Sequence, residues 1–287
     1  MGVQILTDST SYLGEKIRQE FNIRRVALSV TFGDHSIKEI EIDNSEFYKM
    51  MEERDIPTSS QPPLGELFDQ MAEVAEKGDS LCGIFMSSEL SGTMSATQMA
   101  KEIILNKYHD AKIELIDSRS TCMQLGFAVI QAAKAAKAGK TLEQVKECVL
   151  HNIKRSRFLF IPASLEYLKK GGRIGGAAAL IGSLFKITPI LTVENGKTTV
   201  YKKVRTKKNA VVAMINKMMQ DFKNCGFGEI VVHHINCLDE AKELAELIRQ
   251  KLGTPMEMDI VTIGPVVGMH VGPGAIGVTY YTENELV

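Results

Sequence analysis

Paired cysteines are missing from this chain. Five cysteines (Cys82, Cys122, Cys148, Cys225 and Cys237) are scattered through 287 residues, odd in number and never spaced as Cys-x-x-Cys. That usage fits thiols held reduced in a cytoplasm, reads as core packing, and excludes a familiar zinc pattern. Net charge is nearly absent as well, because 34 basic residues offset 35 acidic ones to leave −1. No global field therefore draws the chain to nucleic acid or to an anionic membrane. Long apolar runs are also lacking. The most apolar stretch, Gly175 to Phe185, is about half of what a bilayer-spanning helix needs and stops at Lys186. The first residues, Met1 to Asp8, turn polar too soon for a secretory h-region, so no export is expected. Neither a GxxxxGK[ST] loop nor a GxSxG elbow occurs, which removes the Walker phosphate cradle and the hydrolase elbow.

What is present is a foldable α/β pattern. A hydrophobic content of 44% over this length supplies the core of two modest domains or one large one. Val3–Thr7, Arg25–Thr31, Leu81–Met86 and Ile113–Ile116 read as buried strands between helix-period segments. Glu66–Glu76 places Leu67, Met71 and Val74 on one stripe, and Asp43 with Glu46 and Thr141 with Gln144 form capping boxes. From about residue 153 a second series begins. It holds strands at Phe158–Pro162, Thr188–Val193, Thr198–Val204, Glu229–His234, Glu257–Ile263 and Ile276–Tyr281, and helices at Asn209–Phe222 and Asp239–Leu252. The pair Asn195-Gly196 predicts a hairpin turn. These patterns predict an α/β fold of two α/β domains, 1–153 and 154–287.

The chemistry-bearing residues gather in loops. Thr7-Asp8-Ser9-Thr10-Ser11, Ser87 to Thr93 and Asp117-Ser118 each follow a strand, and ligands in open α/β sheets bind beyond the carboxyl ends of strands. Ser91-Gly92-Thr93 also opens a helix, where backbone N–H groups face an anion, although such serines commonly serve only as caps. A third hydroxyl loop is Pro57-Thr58-Ser59-Ser60-Gln61-Pro62. A basic glycine turn runs Lys169-Lys170-Gly171-Gly172-Arg173-Ile174-Gly175-Gly176, and His270 heads the glycine-rich run to Gly277. Small donors, one His and one Arg suit an anion better than a metal. Gly272 to Gly277 formally matches GxGxxG but leads into a strand, so it has no helix terminus for a dinucleotide. His233 and His234 alternate across a strand, a poor geometry for one metal ion.

The chain resembles the DegV family, the bacterial fatty-acid-binding group, through five motifs in order: Thr7-Asp8-Ser9; Pro57 to Pro62; Ser87 to Thr93 with Ser95-Ala96; Leu168 to Ile174; and Gly264-Pro265 through Gly277. The resemblance implies two α/β domains with a lipid-binding tunnel near their junction, a long-chain fatty acid as ligand, and no cofactor or metal. It further implies a cytoplasmic carrier without catalysis of its own, presenting the acid to an ATP-dependent fatty-acid kinase that forms acyl phosphate. Carried over by motif, the carboxylate contacts fall on Ser59 and Ser91, with His270 close to the head group. Thr58, Gly92, Thr93, Gly272 and Gly274 are the supporting loops, and Arg173 serves docking or the head group. Ser59 replaces the commoner Thr, which frees its rotamer. Ala177 to Phe185 is a candidate acyl wall or a core helix. If His270 donates to the carboxylate, lowering the pH through its titration range is expected to strengthen the contact until the fatty acid itself protonates. Two alternatives remain open: a serine esterase or thioesterase built on Ser91, His270 and Asp8 or Asp117, and a lipid sensor without acyl transfer.

Overall fold

A computed structural model describes residues 2–53, 56–181, 187–253 and 257–286. In chain order its elements begin with β1 (Val3–Asp8), α1 (Glu15–Glu20), β2 (Arg24–Val26), β3 (Ser29–Phe32), β4 (His35–Lys38), α2 (Asn44–Glu53) and β5 (Thr58–Ser60). There follow α3 (Leu64–Glu76), β6 (Ser80–Phe85), α4 (Thr93–Lys107), β7 (Ile113–Asp117), α5 (Cys122–Lys137) and α6 (Leu142–Lys154). The remainder comprises β8 (Ser156–Ile161), α7 (Glu166–Lys170), β9 (Thr188–Glu194), β10 (Lys197–Val204), α8 (Lys207–Cys225), β11 (Glu229–His234), α9 (Leu238–Leu252), β12 (Asp259–Thr262), α10 (Pro265–Val271) and β13 (Ile276–Tyr281). The chain divides into two compact units, Met1–Glu41 with Ser59–Lys154, and Ile42–Thr58 with Arg155–Val287. The expected domains, 1–153 and 154–287, differ from this division in residues 42–58, which group with 155–287.

In the first unit, four parallel strands lie in the order β2-β1-β6-β7. The order reverses beside β1, which creates a switch point between the ends of β1 and β6. On one face Leu67, Met71 and Val74 of α3 and Ala96, Ala100 and Ile104 of α4 bury against Leu6, Leu81 and Phe85. The expected strand over 25–31 is instead two, β2 in this sheet and β3 in a three-stranded sheet ordered β4-β3-β5. Thr141 and Gln144 form the reciprocal capping box, with Thr141 N donating to Gln144 Oε1 at 3.0 Å and Gln144 N to Thr141 Oγ1 at 3.3 Å.

The second unit is built on a mixed six-stranded sheet of order β10-β9-β8-β13-β11-β12. Asn195 and Gly196 take φ of 51° and 82° between antiparallel β9 and β10, the left-handed pair that a tight hairpin requires. Strand alternation sends Leu159, Ile161, Val232, Val278 and Tyr280 to one face, beneath Met214, Met218 and Phe222 of α8 and Leu244 and Ile248 of α9. The residues between them, Phe158, Phe160 and His233, face the other side and line an apolar cavity with Val267 and Val271 of α10. Both faces are thus covered, which is why these strands read as nearly continuous apolar runs. Gly182 to Phe185, the distal part of the candidate acyl wall, lies outside the described residues; Gly175–Leu180 forms a short 3-10 helix with Ala177 and Leu180 buried.

Candidate functional site

In the first unit the site starts at the end of β1. Asp8 is fully buried, and its Oδ1 accepts from Thr10 N at 2.9 Å and Thr10 Oγ1 at 2.6 Å, while Oδ2 accepts from Met86 N at 2.7 Å. Burial pushes the Asp8 carboxyl above its usual range, and the bonds to Thr10 and Met86 pull the other way. The side chain therefore ties the end of β1 to the chain leaving β6. Beside it, Ser9 Oγ donates to Glu39 and accepts from Leu28 N at 3.1 Å. Sequence reasoning missed Glu39, because nothing local marks an acid buried this far from its partner in sequence.

From Met86 the chain turns into the second hydroxyl loop. Ser87 O accepts from Leu90 N and Ser91 N at 3.0 and 3.1 Å. Ser91 Oγ shares a 2.9 Å bond with Thr93 Oγ1 and accepts from Thr93 N at 3.3 Å, so it also satisfies the first backbone N–H of α4, whose N-cap is Gly92. Gln61 lies directly over Gly92, where any side chain would overlap its amide. That contact sets Gln61, two residues after half-buried Ser59, against Gly92, while Thr58 is exposed. Asp117 accepts from Ser88 Oγ at 2.6 Å and Arg119 N at 2.7 Å. Both acids considered for a triad are thus engaged with neighbouring loop donors.

In the second unit the glycine-rich run is not the simple loop the sequence suggested. His270 sits in the last turn of α10, a helix that Gly264-Pro265 announces by placing proline in the first turn. The helix ends at Gly272, whose φ of +86° suits glycine and whose missing side chain leaves room for the Tyr167 ring. Gly274 follows with φ +83° and donates its N–H to Ile235 O at 2.8 Å. The imidazole of His270 rests on Gly171, where a Cβ would overlap Nδ1. Arg173 Nη1 donates to Gly171 O at 2.6 Å, which gathers His270, Gly171 and Arg173 into one corner, with Lys169 and Lys170 exposed on α7.

Burial first, and the Arg173 charge second, push His270 down to about 4. Any titration of the ring thus falls well below the ordinary histidine range: near neutrality the ring is uncharged, and any donor it offers is a neutral N–H. His233 is likewise pushed down to about 4 by burial, with Nδ1 placed 3.2 Å from Val261 O and its ring edge-on to Phe158. His234 Nε2 lies 3.0 Å from Thr262 Oγ1, so the two neighbours do not converge on one point.

The cavity beneath α10 exposes only apolar surface, from Phe158, Phe160, His233, Ile263, Val267 and Val271 among others. Its unfilled space is about 10 Å³, roughly what one water needs. An alkyl chain enters it only as the surrounding side chains give way. Among the described residues no group of three His, Cys, Asp or Glu is arranged to hold a metal ion, and no helix is long and apolar enough to cross a membrane.

Hydroxyl loops at a switch point in one α/β unit, and an apolar cavity under the helix that carries His270 in the other, are features of small-molecule binding proteins. The chain belongs to the DegV family: the family model described as "Uncharacterised protein, DegV family" matches residues 2–283. It is 56% identical over 286 residues to a DegV domain-containing protein of Clostridium acetobutylicum, covering 100% of both chains. Among solved structures it is similar to DegV, a fatty acid binding protein from Bacillus subtilis, with a TM-score of 0.86, 31% identity and coverage of 98% of this chain and 99% of that one. A DegV family protein from Thermus thermophilus, described by its fatty acid binding, gives a TM-score of 0.87 at 26% identity over 98% of this chain and 100% of that one. Fatty-acid binding is thus a property of DegV-family proteins.

Proposed function

We propose that this chain binds a long-chain fatty acid and carries it without transforming it. The observation that carries the reading is α10 itself: Val267 and Val271 face an apolar cavity, and His270 adds a polar group in the same last turn. A helix apolar along one flank and polar at its end suits an amphiphile with one head and one tail. Ser59, Ser91 and His270 are the proposed carboxylate contacts, carried over by motif. Thr58, Gly92, Thr93, Gly272 and Gly274 support them.

The energetics divide the labour. Burying about 14 methylenes at roughly 0.8 kcal/mol each contributes on the order of 11 kcal/mol before ordering costs. A carboxylate taken out of water costs several kcal/mol, and each hydrogen bond to it returns about 1.5–3 kcal/mol. The tail supplies affinity; the hydroxyls and imidazole orient the head. Presentation of that head to an ATP-dependent fatty-acid kinase, in the cytoplasm of a bacterium, completes the proposal, with Lys169, Lys170 and Arg173 as its basic docking corner. The esterase reading is less well supported, since Ser91 Oγ bonds Thr93 while Asp8 and Asp117 hold loop donors.

Native mass spectrometry of the purified protein is the test, with a retained or added acid of long-chain mass as the expected result. A protein that carries none and takes up no hexadecanoate refutes the reading. Consumption of the bound acid on adding kinase and ATP separates a carrier from a sensor. Ester hydrolysis lost in Ser91→Ala would make the chain an enzyme instead.

A further inference from the structure

Helix α2 arises early in the chain, yet its residues belong with the second unit, where Phe47 and Tyr48 are completely buried with their rings edge to face at 5.2 Å. Tyr48 touches α10 at two points. Its hydroxyl donates to Ile263 O at 3.3 Å, immediately before the Gly264-Pro265 start of the helix. One turn further on, the phenol lies against Gly268, where a Cβ would overlap the hydroxyl and stand 2.8 Å from Cζ. The far end of α10 is braced separately, by Tyr167 against Gly272 and by Gly171 under His270.

The two tyrosines thus bracket a helix of seven residues, Pro265–Val271. So short a helix has little stability of its own and takes its position from such contacts. A shift of α10 along its axis would move Val267 and Val271 within the cavity wall and carry His270 off Gly171. We infer that Tyr48 is a positioning residue for head-group recognition, holding α10 so that His270 meets a fatty-acid carboxylate. The inference rests on the fatty-acid reading. It gives a role to a helix that the Asp43/Glu46 capping box marks only as a helix.

The test compares Tyr48→Phe with the parent in the full chain, titrating hexadecanoic acid and, separately, hexadecanol, which has the same tail without a carboxylate. Phenylalanine keeps the buried ring and deletes the hydroxyl, with its bond to Ile263 O and its contact with Gly268, so the fold is retained. Loss of one such bond predicts about fivefold weaker binding of the acid, with hexadecanol unchanged. In a His270→Ala background Tyr48→Phe should add no further loss, because the group it positions is gone. The NMR signal of the His270 ring should also move in Tyr48→Phe. Equal losses for acid and alcohol, or the same loss in both backgrounds, would overturn the inference by reducing Tyr48 to a cavity wall. A parent that binds hexadecanoate and weakens on His270→Ala, with Tyr48→Phe indifferent, overturns the inference alone. A parent that binds no hexadecanoate overturns it together with the fatty-acid reading.

Discussion

Acidification separates a buried His270 from an ordinary one. Its fold-imposed displacement from 6.5 to about 4 corresponds to a penalty on the imidazolium of roughly 3 kcal/mol at 1.36 kcal/mol per unit. The folded state thus favours the neutral ring, so the stability it contributes is present above pH 6.5 and is lost as pH falls toward about 4. A midpoint near 4 predicts a ring charged to only a few per cent at pH 5.5 in the ligand-free protein, against about 90% for an unperturbed ring. Histidine-selective NMR, with His270→Gln identifying the resonance, should give a midpoint near 4, and Arg173→Ala should raise it by removing the neighbouring cation. The same His270→Gln protein should lose less stability than the parent between pH 6.5 and 4. For binding, a carboxylate contact that returns the bound ring at most to its ordinary range can improve affinity no more than about twofold between pH 8 and 6.5. A midpoint near 6.5 in the free protein would refute the burial argument. An affinity profile that ignores His270→Ala at every pH would remove His270 from the site.

Ser91→Ala deletes one charge-assisted hydrogen bond and should weaken fatty-acid binding by about 1.5–3 kcal/mol in direct titration, and Ser59→Ala by less, because its side chain is freer. Since Ser91 Oγ also accepts from the first N–H of α4, the melting temperature must be measured beside the affinity; an unchanged affinity in folded protein ends its head-group role. Arg173→Ala should leave fatty-acid affinity within about threefold, under 1 kcal/mol, while slowing phosphorylation of the bound acid by the kinase, and added salt should slow the unmodified pair in the same direction. Normal phosphorylation at limiting concentration would end the docking proposal. Gly272→Ala should destabilise the fold by about 2 kcal/mol or more through its positive φ and its overlap with Tyr167, and a melting curve matching the parent's would refute that.

The fold was legible wherever the signal was local. The Asn195-Gly196 turn needs two left-handed residues and names them; the Thr141/Gln144 box closes within four residues; the stripe of α3 repeats every turn. Where tertiary pairing decided, the reading slipped. Nothing in 25–31 announces that β2 and β3 enter different sheets, because each short piece is equally apolar and the choice is made by partners elsewhere in the chain. The assignment of 42–58 to the second unit is of the same kind, set by what Phe47 and Tyr48 bury against and not by their own pattern.

The site divides along the same line. Chemical identity was visible: the hydroxyl loops follow strands because donors at strand ends read out directly in the alternation of apolar and polar residues. Environment was not. His270 was legible as a ring nitrogen beside glycines, but whether it titrates near 6.5 or near 4 depends on what surrounds it, and the surrounding groups, Gly171 and Arg173, lie about a hundred residues away in sequence. A local cause hides α10, since Val266-Val267-Gly268-Met269-His270 has a glycine at its centre and too few turns for a period to emerge. That glycine is the place where Tyr48 rests. A residue that weakens the helix in isolation is what admits the contact that positions it, so the feature that concealed the helix in the sequence is also the feature through which the fold controls His270.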